Sequence, residues 1–273
     1  MTTNLPTPHP PADRSHTAGI RRATALCFGA GVAAILAGCS SGGADVDSEQ
    51  VVTRDIWAGI NLESKGNGNT RVKVELNEND NSGNNIQLSA NERLEVDAEG
   101  LIVTLKEDLD IGDIDYEGSV PTDIGGTLFR VSLFRADGTI NSGSFVNIPS
   151  TFSISSPARG QAYGAGDRML VTWSPASPGN RVELEVSARC PTNAGGTTFS
   201  VQWFQIGDTG THSLNMNNLR IARDDSVVPD ATCDMDIAIR RERNGNVDPA
   251  FRGGGFMRAT QIRRVEEMTF RLP

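Results

Sequence analysis

The sequence predicts an all-β protein built as two tandem antiparallel β-sandwiches. After residue 50, helical periodicity is nearly absent, and alternation of apolar and polar residues recurs at short intervals. Turns rich in Asn, Gly and Asp separate these stretches, and such turns suit antiparallel connections. Because the strand pattern restarts after residue 150, we expect two sandwich domains, 51–150 and 151–273.

The first domain is predicted from a series of short strands. Residues 70–76, TRVKVEL, place Val72, Val74 and Leu76 on one face and charged residues on the other. The segments NNIQLS, RLEVDA and LIVTLKE continue the series, and TLFRVSLFRADGTI turns at Asp137–Gly138. Each strand therefore has one face for the core and one for solvent.

The second domain begins with a pattern that resembles a known class of extracellular modules. Pro149 interrupts strand pairing. Residues 152–175, FSISSPARGQAYGAGDRMLVTWSP, then form an apolar strand ending in Pro157, a Gly-containing turn, and MLVTW with Trp173 toward the core. This stretch resembles the first strands of immunoglobulin-like and fibronectin-III-like domains, and also the Ser/Thr-rich cell-wall-anchor domain of that type in fungi. The resemblance implies Ig-like sandwiches but no particular function, because this fold hosts many unrelated roles.

The first 38 residues have the features of an export signal. Arg21 and Arg22 precede an uncharged run from Ala23 to Gly38, which is shorter than the roughly 20 apolar residues of a membrane-spanning helix. Leu-Ala-Gly followed by Cys39 then resembles the lipobox of bacterial lipoproteins. The resemblance implies that residues 1–38 are cleaved as a signal peptide and that Cys39 carries the lipid, palmitate included. The alternative is a plain signal peptide with an incidental cysteine.

The segment after the predicted cleavage site is small and polar. Residues 39–50 have no apolar period and are expected to be the lipidated N-terminus and a flexible tether. Ser40, rather than Asp, follows the cysteine. In enterobacterial lipoproteins Asp at that position favours the inner membrane, so the resemblance implies a lipid-anchored protein of the cell envelope, in the outer membrane of a Gram-negative bacterium.

Two cysteines remain for the folded part of the chain. Cys190 follows the predicted strand NRVELEVSARC, and Cys233 opens CDMDIAIRRER. In an exported protein, two cysteines beside predicted strands indicate a disulfide bond, with a free buried pair as the alternative. Removing residues 1–38 removes one acid and three arginines, so the net charge of −9 becomes −11 for the mature chain.

The sequence contains few of the residues and motifs that enzymes use for catalysis. His212 is the only histidine of the predicted mature chain, which excludes three-histidine and Cys/His zinc sites. A Ser-His-Asp triad would have to use His212 as its base. The G-x-S-x-G, P-loop and H-E-x-x-H motifs are absent. No catalytic residue is therefore predicted. Paired carboxylates of a glycosidase are the remaining enzymatic alternative, although acids alone have little specificity.

The acidic segment KEDLDIGDIDYEG is the candidate for a metal ion. Asp108, Asp110, Asp113 and Asp115 supply oxygen ligands of the kind that calcium takes. The spacing resembles an EF-hand loop only loosely, because Gly112 stands where a third acid would be and the twelfth position has no Glu. The prediction is therefore an exposed acidic turn, with calcium as the alternative cofactor.

The charge is distributed unevenly. Residues 44–150 have 20 acids and 8 bases, whereas residues 151–273 have 13 acids and 14 arginines with no lysine. Arginine forks suit carboxylate, phosphate and sulfate groups. Alternation along a strand allows only part of the arginine cluster to share one face. The predicted ligand-binding patch is Arg241, Arg243, Arg258 and Arg263, and the alternative is a solvated strand face.

These observations predict a non-enzymatic lipoprotein of the cell envelope. It is expected to act as a binding or structural module, with an acidic polysaccharide or an envelope protein as partner and the membrane as anchor. The first alternative is an accessory subunit of a secretion, pilus or outer-membrane assembly machine, and the second is the carboxylate-based glycosidase. Nucleic acid is not expected as a partner of a lipid-anchored envelope protein.

Overall fold

Strands make up nearly all of the regular structure in residues 45–110 and 113–272, which the computed structural model describes. The strands are β1 (Val46–Asp47), β2 (Ile56–Ser64), β3 (Thr70–Glu78), β4 (Ile86–Gln87), β5 (Arg93–Ala98), β6 (Leu101–Thr104), β7 (Lys106–Asp110), β8 (Asp113–Val120), β9 (Leu128–Phe134), β10 (Ile140–Asn147), β11 (Ser153–Ser156), β12 (Ala162–Gly164), β13 (Arg168–Ser174), β14 (Arg181–Thr192), β15 (Gly196–Ile206), β16 (Thr211–Asn215), β17 (Thr232–Asn244) and β18 (Gly254–Arg271). The predicted all-β fold of Ig-like sandwiches is confirmed. The predicted signal peptide and Cys39 lie outside the described residues.

Helical structure in the same ranges is limited to 3₁₀ turns. There are four of them, each three or four residues long: Ser48–Gln50, Thr53–Asp55, Met216–Asn218 and Arg220–Arg223. Within the described ranges, no helix has the length and hydropathy of a membrane span.

The first sandwich packs two sheets around an apolar core. One is a four-stranded sheet in the order β10-β9-β5-β6, and the facing strands are β2, β3 and β8 of a longer sheet. The alternation predicted for β3 is confirmed, since Val72, Val74 and Leu76 are buried. Across the core, Phe129 and Leu133 of β9 are buried as well. The removal of these side chains from water is the main source of stability for this half.

The second sandwich is smaller on one side. A three-stranded sheet, β11-β13-β16, faces the strands β15, β14, β17 and β18. Trp173 on β13 lies in this core as predicted, and its indole N–H donates a hydrogen bond to Asp208 Oδ1 at 2.8 Å. A buried indole needs such an acceptor because an unpaired N–H away from water is destabilising.

One long sheet belongs to both sandwiches. Its strand order is β15-β14-β17-β18-β2-β3-β8-β7, with β12 beside β18. Strand β18 has 18 residues and pairs with β17 in antiparallel fashion and with β2 in parallel fashion. The sequence did not indicate this parallel pairing, because the two partners lie almost 200 residues apart and each reads as an ordinary antiparallel strand.

Strand β18 contributes to both cores. Met257 and Ala259, in its first half, lie in the core of the first sandwich, whereas Met268 and Phe270, in its last third, lie in the second core. Residues from the segment assigned to the second domain, 151–273, therefore complete the first sandwich. Independent folding of 51–150 and 151–273 remains a prediction.

The fold begins inside the segment predicted to be a tether. Strand β1 pairs with β4, and Ser48 is fully buried. The hydroxyl of Ser48 donates a hydrogen bond to the Glu92 carboxylate, and Arg135 donates to the backbone oxygens of Ser48 and Val51 at 2.7 and 2.9 Å. Glu92 and Arg135 also form a buried ion pair at 2.7 Å. The prediction of a tether over 39–50 is therefore wrong for residues 45–50, because polar side chains of distant strands hold them in the fold.

The Gly-rich segment after β17 brings β18 close to β2. Gly255 has φ of +133°, and a Cβ atom at this position would lie 2.1 Å from the carbonyl oxygen of Ala58. The preceding loop is anchored by Asp248, whose carboxylate accepts hydrogen bonds from the backbone N–H of Gly143 at 2.6 Å and of Ala250 at 2.9 Å. Glycine is needed here because the backbones of β18 and β2 leave no room for a side chain.

We expect Gly255→Ala to lower the free energy of unfolding by about 1–3 kcal/mol, since the new methyl group clashes with backbone that cannot move away without breaking the β18–β2 pairing. Urea unfolding followed by circular dichroism measures the change. The matched control is Gly166→Ala, because Gly166 lies in open space without a positive φ. Equal stability of the two variants would contradict the close approach of the β18 backbone at Gly255 to the β2 backbone at Ala58.

Candidate functional site

The candidate site is a depression on the outer face of the long sheet. Its volume is about 520 Å³, and it lies over β2, β17 and β18. The lining residues are Glu63, Lys65, Arg240, Ile262, Arg264 and Glu266. We call this surface the outer-face depression. Its floor is apolar at Ile262, and its walls are charged, so it combines two kinds of contact in one place.

Strand register brings these residues together from distant parts of the sequence. Arg240 lies opposite Glu183 of β14 on one side and opposite Ile262 of β18 on the other. In the next row along the sheet, Ala238 lies between Glu185 and Arg264 in the same way. Because side chains of directly opposed residues point to the same face, both rows project into the depression or its rim.

Trp203 extends the site onto β15. It lies opposite Glu185, and 49% of its surface is exposed. The guanidinium carbon of Arg240 lies 5.6 Å from the centre of the Trp203 ring, which is a cation–π arrangement. The neighbouring Phe204 and Ile206 take the inner face and pack against the second core. Alternation therefore leaves Trp203 on the outer face.

The charges of the depression are largely neutralised within it. Arg240 lies 3.6 Å from Glu63, Lys65 lies 3.0 Å from Glu63, and Arg264 lies 3.5 Å from Glu185. These side chains are partly exposed, so each pair contributes only a few tenths of a kcal/mol up to about 1 kcal/mol to stability. The more important consequence is that the surface presents donors and acceptors side by side, not a positively charged patch.

The predicted arginine patch is wrong for Arg241. This side chain is fully buried between the two sandwiches, where no surface ligand reaches it. Its Nε atom lies 2.7 Å from Asp208 Oδ2, and its terminal nitrogens donate to the backbone oxygens of Ser150 and Pro175 at 2.7 and 2.8 Å. The Phe152 ring centre lies 4.5 Å from its guanidinium carbon. The inward-facing residues of β17 before this position are apolar, namely Met235, Ile237 and Ile239. At Arg241 the same face contains a charged residue with a buried counterion.

The three other predicted arginines do not form one surface. Arg263 shares the inner face with Arg241 and lies over the Phe152 ring at 5.6 Å, and burial lowers the pKa of its guanidinium. Arg243 donates two hydrogen bonds to Asn180 Oδ1, at 3.0 and 3.2 Å. Arg258 lies on the opposite face. In the register of β17 with β18, Arg263 lies opposite Ile239, an inner-face residue, whereas Arg258 lies opposite Asn244, an outer-face residue. Opposed residues share a face, so Arg263 and Arg258 lie on different faces of the sheet.

Arg258 belongs to a second aromatic cluster on the outer face. It lies 3.3 Å from Glu242 and 5.2 Å from the Phe256 ring centre. Phe256 in turn packs edge-on against Trp57, with ring centres 5.9 Å apart. Trp57 is half-buried because its ring covers Gly59. Of the predicted ligand-binding residues, Arg258 alone is thus on the outer face, and it is already paired.

The acidic segment forms a β-hairpin. Strands β7 and β8 pair with Asp108 opposite Asp115 and Asp110 opposite Asp113. The Asp115 carboxylate forms an ion pair with Lys73, while burial, the larger effect, raises the pKa of Asp115. In the ranges that the structure describes, no group of three or more His, Cys, Asp or Glu side chains is arranged for a metal ion. Calcium remains the alternative to the predicted acidic turn, and the structure does not test it.

The predicted disulfide joins Cys190 to Cys233. The two residues lie at the ends of the paired strands β14 and β17, just beyond the opposed pair Arg189 and Asp234, and their Cα atoms are 4.4 Å apart. That spacing is typical of directly opposed residues without mutual hydrogen bonds in an antiparallel pair. The bond therefore links neighbouring strands of one sheet.

His212 lies on β16, away from the outer-face depression. It is half-buried, and burial lowers the pKa of its imidazole. Its register partner is Val171, an apolar core residue of β13. His212 is therefore a half-buried strand residue of the second sandwich.

Sequence reasoning missed most of the outer-face depression. Glu63, Lys65 and Arg264 belong to no motif that connects them in the sequence. A signal was present at Trp203, because Trp203 and Phe204 are adjacent in a strand and only one of them can face the core. No such signal connects Glu63 to Arg240, since their proximity depends on the parallel pairing of β2 with β18.

Comparison with known proteins gives weak similarities. No protein-family model and no curated protein matches the chain. A trypsin-activated alpha-2-macroglobulin from Escherichia coli is similar over 80% of this chain and 16% of its own, with 9% identity and a TM-score of 0.24. The chain thus spans about a sixth of that protein.

Two further solved structures are similar at the same level. The Bacteroides ovatus mixed-linkage glucan utilization locus protein SGBP-B, in complex with mixed-linkage heptasaccharide, matches over 85% of this chain and 68% of its own, with 12% identity and a TM-score of 0.20. The fibronectin(III)-like modules of Clostridium thermocellum CbhA match over 77% and 90%, with 9% identity and a TM-score of 0.19. Similarity this weak carries no information about function.

Proposed function

We propose that the protein is a non-enzymatic binding module of the cell envelope, anchored by lipid on Cys39, and that the outer-face depression binds a polysaccharide. The observation that carries this proposal is the exposed ring of Trp203 beside paired charges. A sugar ring has an apolar C–H face and a rim of hydroxyl groups. An aromatic ring covers the former, while carboxylates and guanidinium groups bind the latter.

The charge balance favours a mainly uncharged polysaccharide. Arg240 and Arg264 already have Glu63 and Glu185 as partners. An acidic polysaccharide, the partner expected from the sequence, must compete with these carboxylates for the same guanidinium groups. Hydroxyl groups face no such competition, because they can donate to the carboxylates and accept from the arginines at once.

We expect Trp203→Ala to weaken polysaccharide binding at least tenfold, which corresponds to about 1.4 kcal/mol. Isothermal titration of the mature chain carrying Cys39→Ser is the measurement, with galactomannan and hydroxyethylcellulose as neutral probes and polygalacturonate as the acidic probe. The matched control is Phe199→Ala, which removes an exposed aromatic ring from the same strand and face without touching the depression. Binding unchanged by Trp203→Ala, or no binding of any probe, would contradict the proposal.

The same polysaccharides also test the absence of enzymatic activity. Glu63 and Glu266 both line the depression, and two carboxylates are what glycoside hydrolysis requires. Prolonged incubation is expected to release no reducing ends. Release that is abolished by Glu63→Gln or Glu266→Gln would overturn the non-enzymatic proposal in favour of the glycosidase alternative.

Lipid anchoring is tested independently of the ligand. The full-length protein expressed in a Gram-negative host is expected to incorporate labelled palmitate, and Cys39→Ser is expected to abolish the label, because no other residue of the motif has a thiol to acylate. The serine variant is further expected to leave the outer-membrane fraction. Label that persists in the variant would refute Cys39 as the site.

A further inference from the structure

Strand β15 has one open edge. It is the end strand of the long sheet, paired with β14 over 11 residues, and no strand lies on its other side within the described ranges. Along that side, alternate backbone N–H and C=O groups point away from the sheet. Such a row of groups is a template for another strand.

The other sheet edges are protected in the usual ways. Strand β7 has charged residues along its length, and β6, β11 and β16 are four or five residues long. The free side of β10 is bridged by two backbone hydrogen bonds between Phe145 and Asn246, both 2.9 Å.

Strand β15, GTTFSVQWFQI, has no charged residue and no proline. The neighbouring backbone of Asn218 and Arg220 is hydrogen-bonded to the Gln202 side chain, at 3.2 and 2.8 Å, and not to the backbone of the β15 edge among the described hydrogen bonds. Strand β15 also exposes Phe199 and Trp203, at 62% and 49%.

The sequence of β15 is complementary to itself. In an antiparallel pair of two copies with the two-fold axis at Val201, Phe199 lies opposite the partner's Trp203, and Trp203 lies opposite the partner's Phe199. The axis places Val201 against its own copy and Thr197 against the partner's Gln205. Aromatic pairs across neighbouring strands are stabilising, and this register forms two of them on the outer face.

We propose that the protein forms a two-fold symmetric dimer through antiparallel pairing of β15 with β15 of a second copy. The absence of charge on the strand means that no like charges oppose each other at the axis. A two-fold contact also closes on itself, so the open edge of each copy is consumed and no filament grows from it. The dimer joins the two long sheets into one continuous sheet.

The dimer seam and the outer-face depression share Trp203 but are otherwise separate. Arg240 lines the depression and lies two strands away from the open edge. Phe199 lies at the open edge and outside the depression. The two proposals therefore fail separately: Arg240→Ala is expected to weaken polysaccharide binding and leave the dimer, whereas Phe199→Ala is expected to weaken the dimer, and the resulting monomer, with Trp203 exposed, is expected still to bind polysaccharide.

Cysteine cross-linking tests the register. The mature chain carrying Cys39→Ser has no free thiol, because Cys190 and Cys233 are bonded to each other. In the proposed dimer the two copies of Val201 have Cα atoms about 4.5–5.5 Å apart, within the range of about 4.4–6.8 Å that a disulfide spans. We expect Val201→Cys to form a covalent dimer under mild oxidation as the main species.

Two off-axis variants provide the matched control. Thr197→Cys alone is not expected to cross-link, because the two copies of residue 197 lie about 27 Å apart along the strands in this register. A mixture of Thr197→Cys and Gln205→Cys chains is expected to cross-link to each other. Cross-linking of Thr197→Cys alone at the rate of Val201→Cys, or no cross-linking of Val201→Cys, would overturn the register.

Sedimentation of the chain without added cysteines tests the dimer itself. We expect a twofold mass at about 100 μM protein, which Phe199→Lys reduces to the monomer mass. Leu170→Lys is the control, because Leu170 is an exposed apolar residue on β13, away from this edge. A monomer at all concentrations, or a dimer that both lysine variants leave intact, would overturn the proposal. Sedimentation could also show a mixture of masses that Phe199→Lys suppresses, while Val201→Cys forms no covalent dimer. That result would overturn the symmetric dimer and indicate that β15 pairs with a different strand.

Discussion

Arg241→Met is expected to lower the free energy of unfolding by about 3–5 kcal/mol, because it leaves the carboxylate of Asp208 buried without its counterion. Both side chains are fully buried, and they meet at 2.7 Å. The guanidinium group also satisfies the backbone oxygens of Ser150, in the linker before β11, and of Pro175, in the loop after β13. Loss of this one side chain thus leaves three acceptor groups, the buried Asp208 carboxylate and the two backbone oxygens, short of a donor.

Two further variants separate the charge from the packing. Asp208→Asn alone is expected to be strongly destabilising, because it leaves the Arg241 charge unpaired and weakens the acceptor of the Trp173 indole. The double variant Arg241→Met with Asp208→Asn is expected to cost less than the sum of the two single changes, since no unpaired charge remains. A double-mutant cycle by urea unfolding measures this coupling directly.

Arg243→Met is the matched control for Arg241→Met. Arg243 is two residues further along β17, faces the same side of the sheet, and binds only the Asn180 side chain among the described residues. Its replacement is expected to cost less than about 1 kcal/mol, as for a partly exposed hydrogen bond. A loss at Arg241 no larger than the loss at Arg243 would show that the buried ion pair is not a major contributor to stability.

Loss of the Cys190–Cys233 disulfide is expected to lower the free energy of unfolding by about 4 kcal/mol in the chain-entropy model. The bond joins residues that are 43 apart in sequence, and the loop that it closes contains β15, β16 and two 3₁₀ turns. The unfolded chain without the bond gains the freedom of this whole loop. The measurement is urea unfolding of Cys190→Ala with Cys233→Ala.

The reduced wild-type protein is the control for this prediction. It has the same sequence as the oxidised protein. The difference in unfolding free energy between the two forms therefore reports the effect of the cross-link alone, without a change of side chain. We expect reduction and the double alanine variant to cost similar amounts. Non-reducing peptide mapping of the native protein is expected to recover Cys190 bonded to Cys233. Alkylation of both thiols without prior reduction would refute the bond.

Local patterns in the sequence were sufficient for the fold class. The alternation in β3, the restart of strands after Pro149 and the inward position of Trp173 all follow from short-range periodicity, and the structure confirms them. The disulfide followed from the compartment and from the placement of two cysteines beside strands. Each of these inferences needs only a few neighbouring residues and a general rule about which faces are buried.

The candidate functional site could not be predicted from such local patterns, because it depends on which layers pack against each strand. Alternation along β17 and β18 predicts that only part of the arginine cluster shares one face, but the predicted patch combined Arg263 of the inner face with Arg258 of the outer face. Which face is buried depends on the neighbouring layers. At Arg241 the inward face meets Asp208 from a loop between β15 and β16, so a charge that the sequence predicts on the surface is buried as half of an ion pair. A pattern within one strand cannot show such a partner.

By itself, the sequence determined the all-β class, the buried faces of strands such as β3, the disulfide and the resemblance of its N-terminus to a lipoprotein signal. It did not separate β6 from β7, which the sequence pattern predicts as one strand. Only the tertiary structure decided that β2 and β18 pair in parallel, that Glu63 therefore reaches Arg240, and that β15 ends the long sheet with Trp203 exposed. The physical reason is range. Burial periodicity is imposed by contacts that repeat every two residues, whereas the depression and the open edge depend on which strands become neighbours, and that choice is made by the packing of whole sheets.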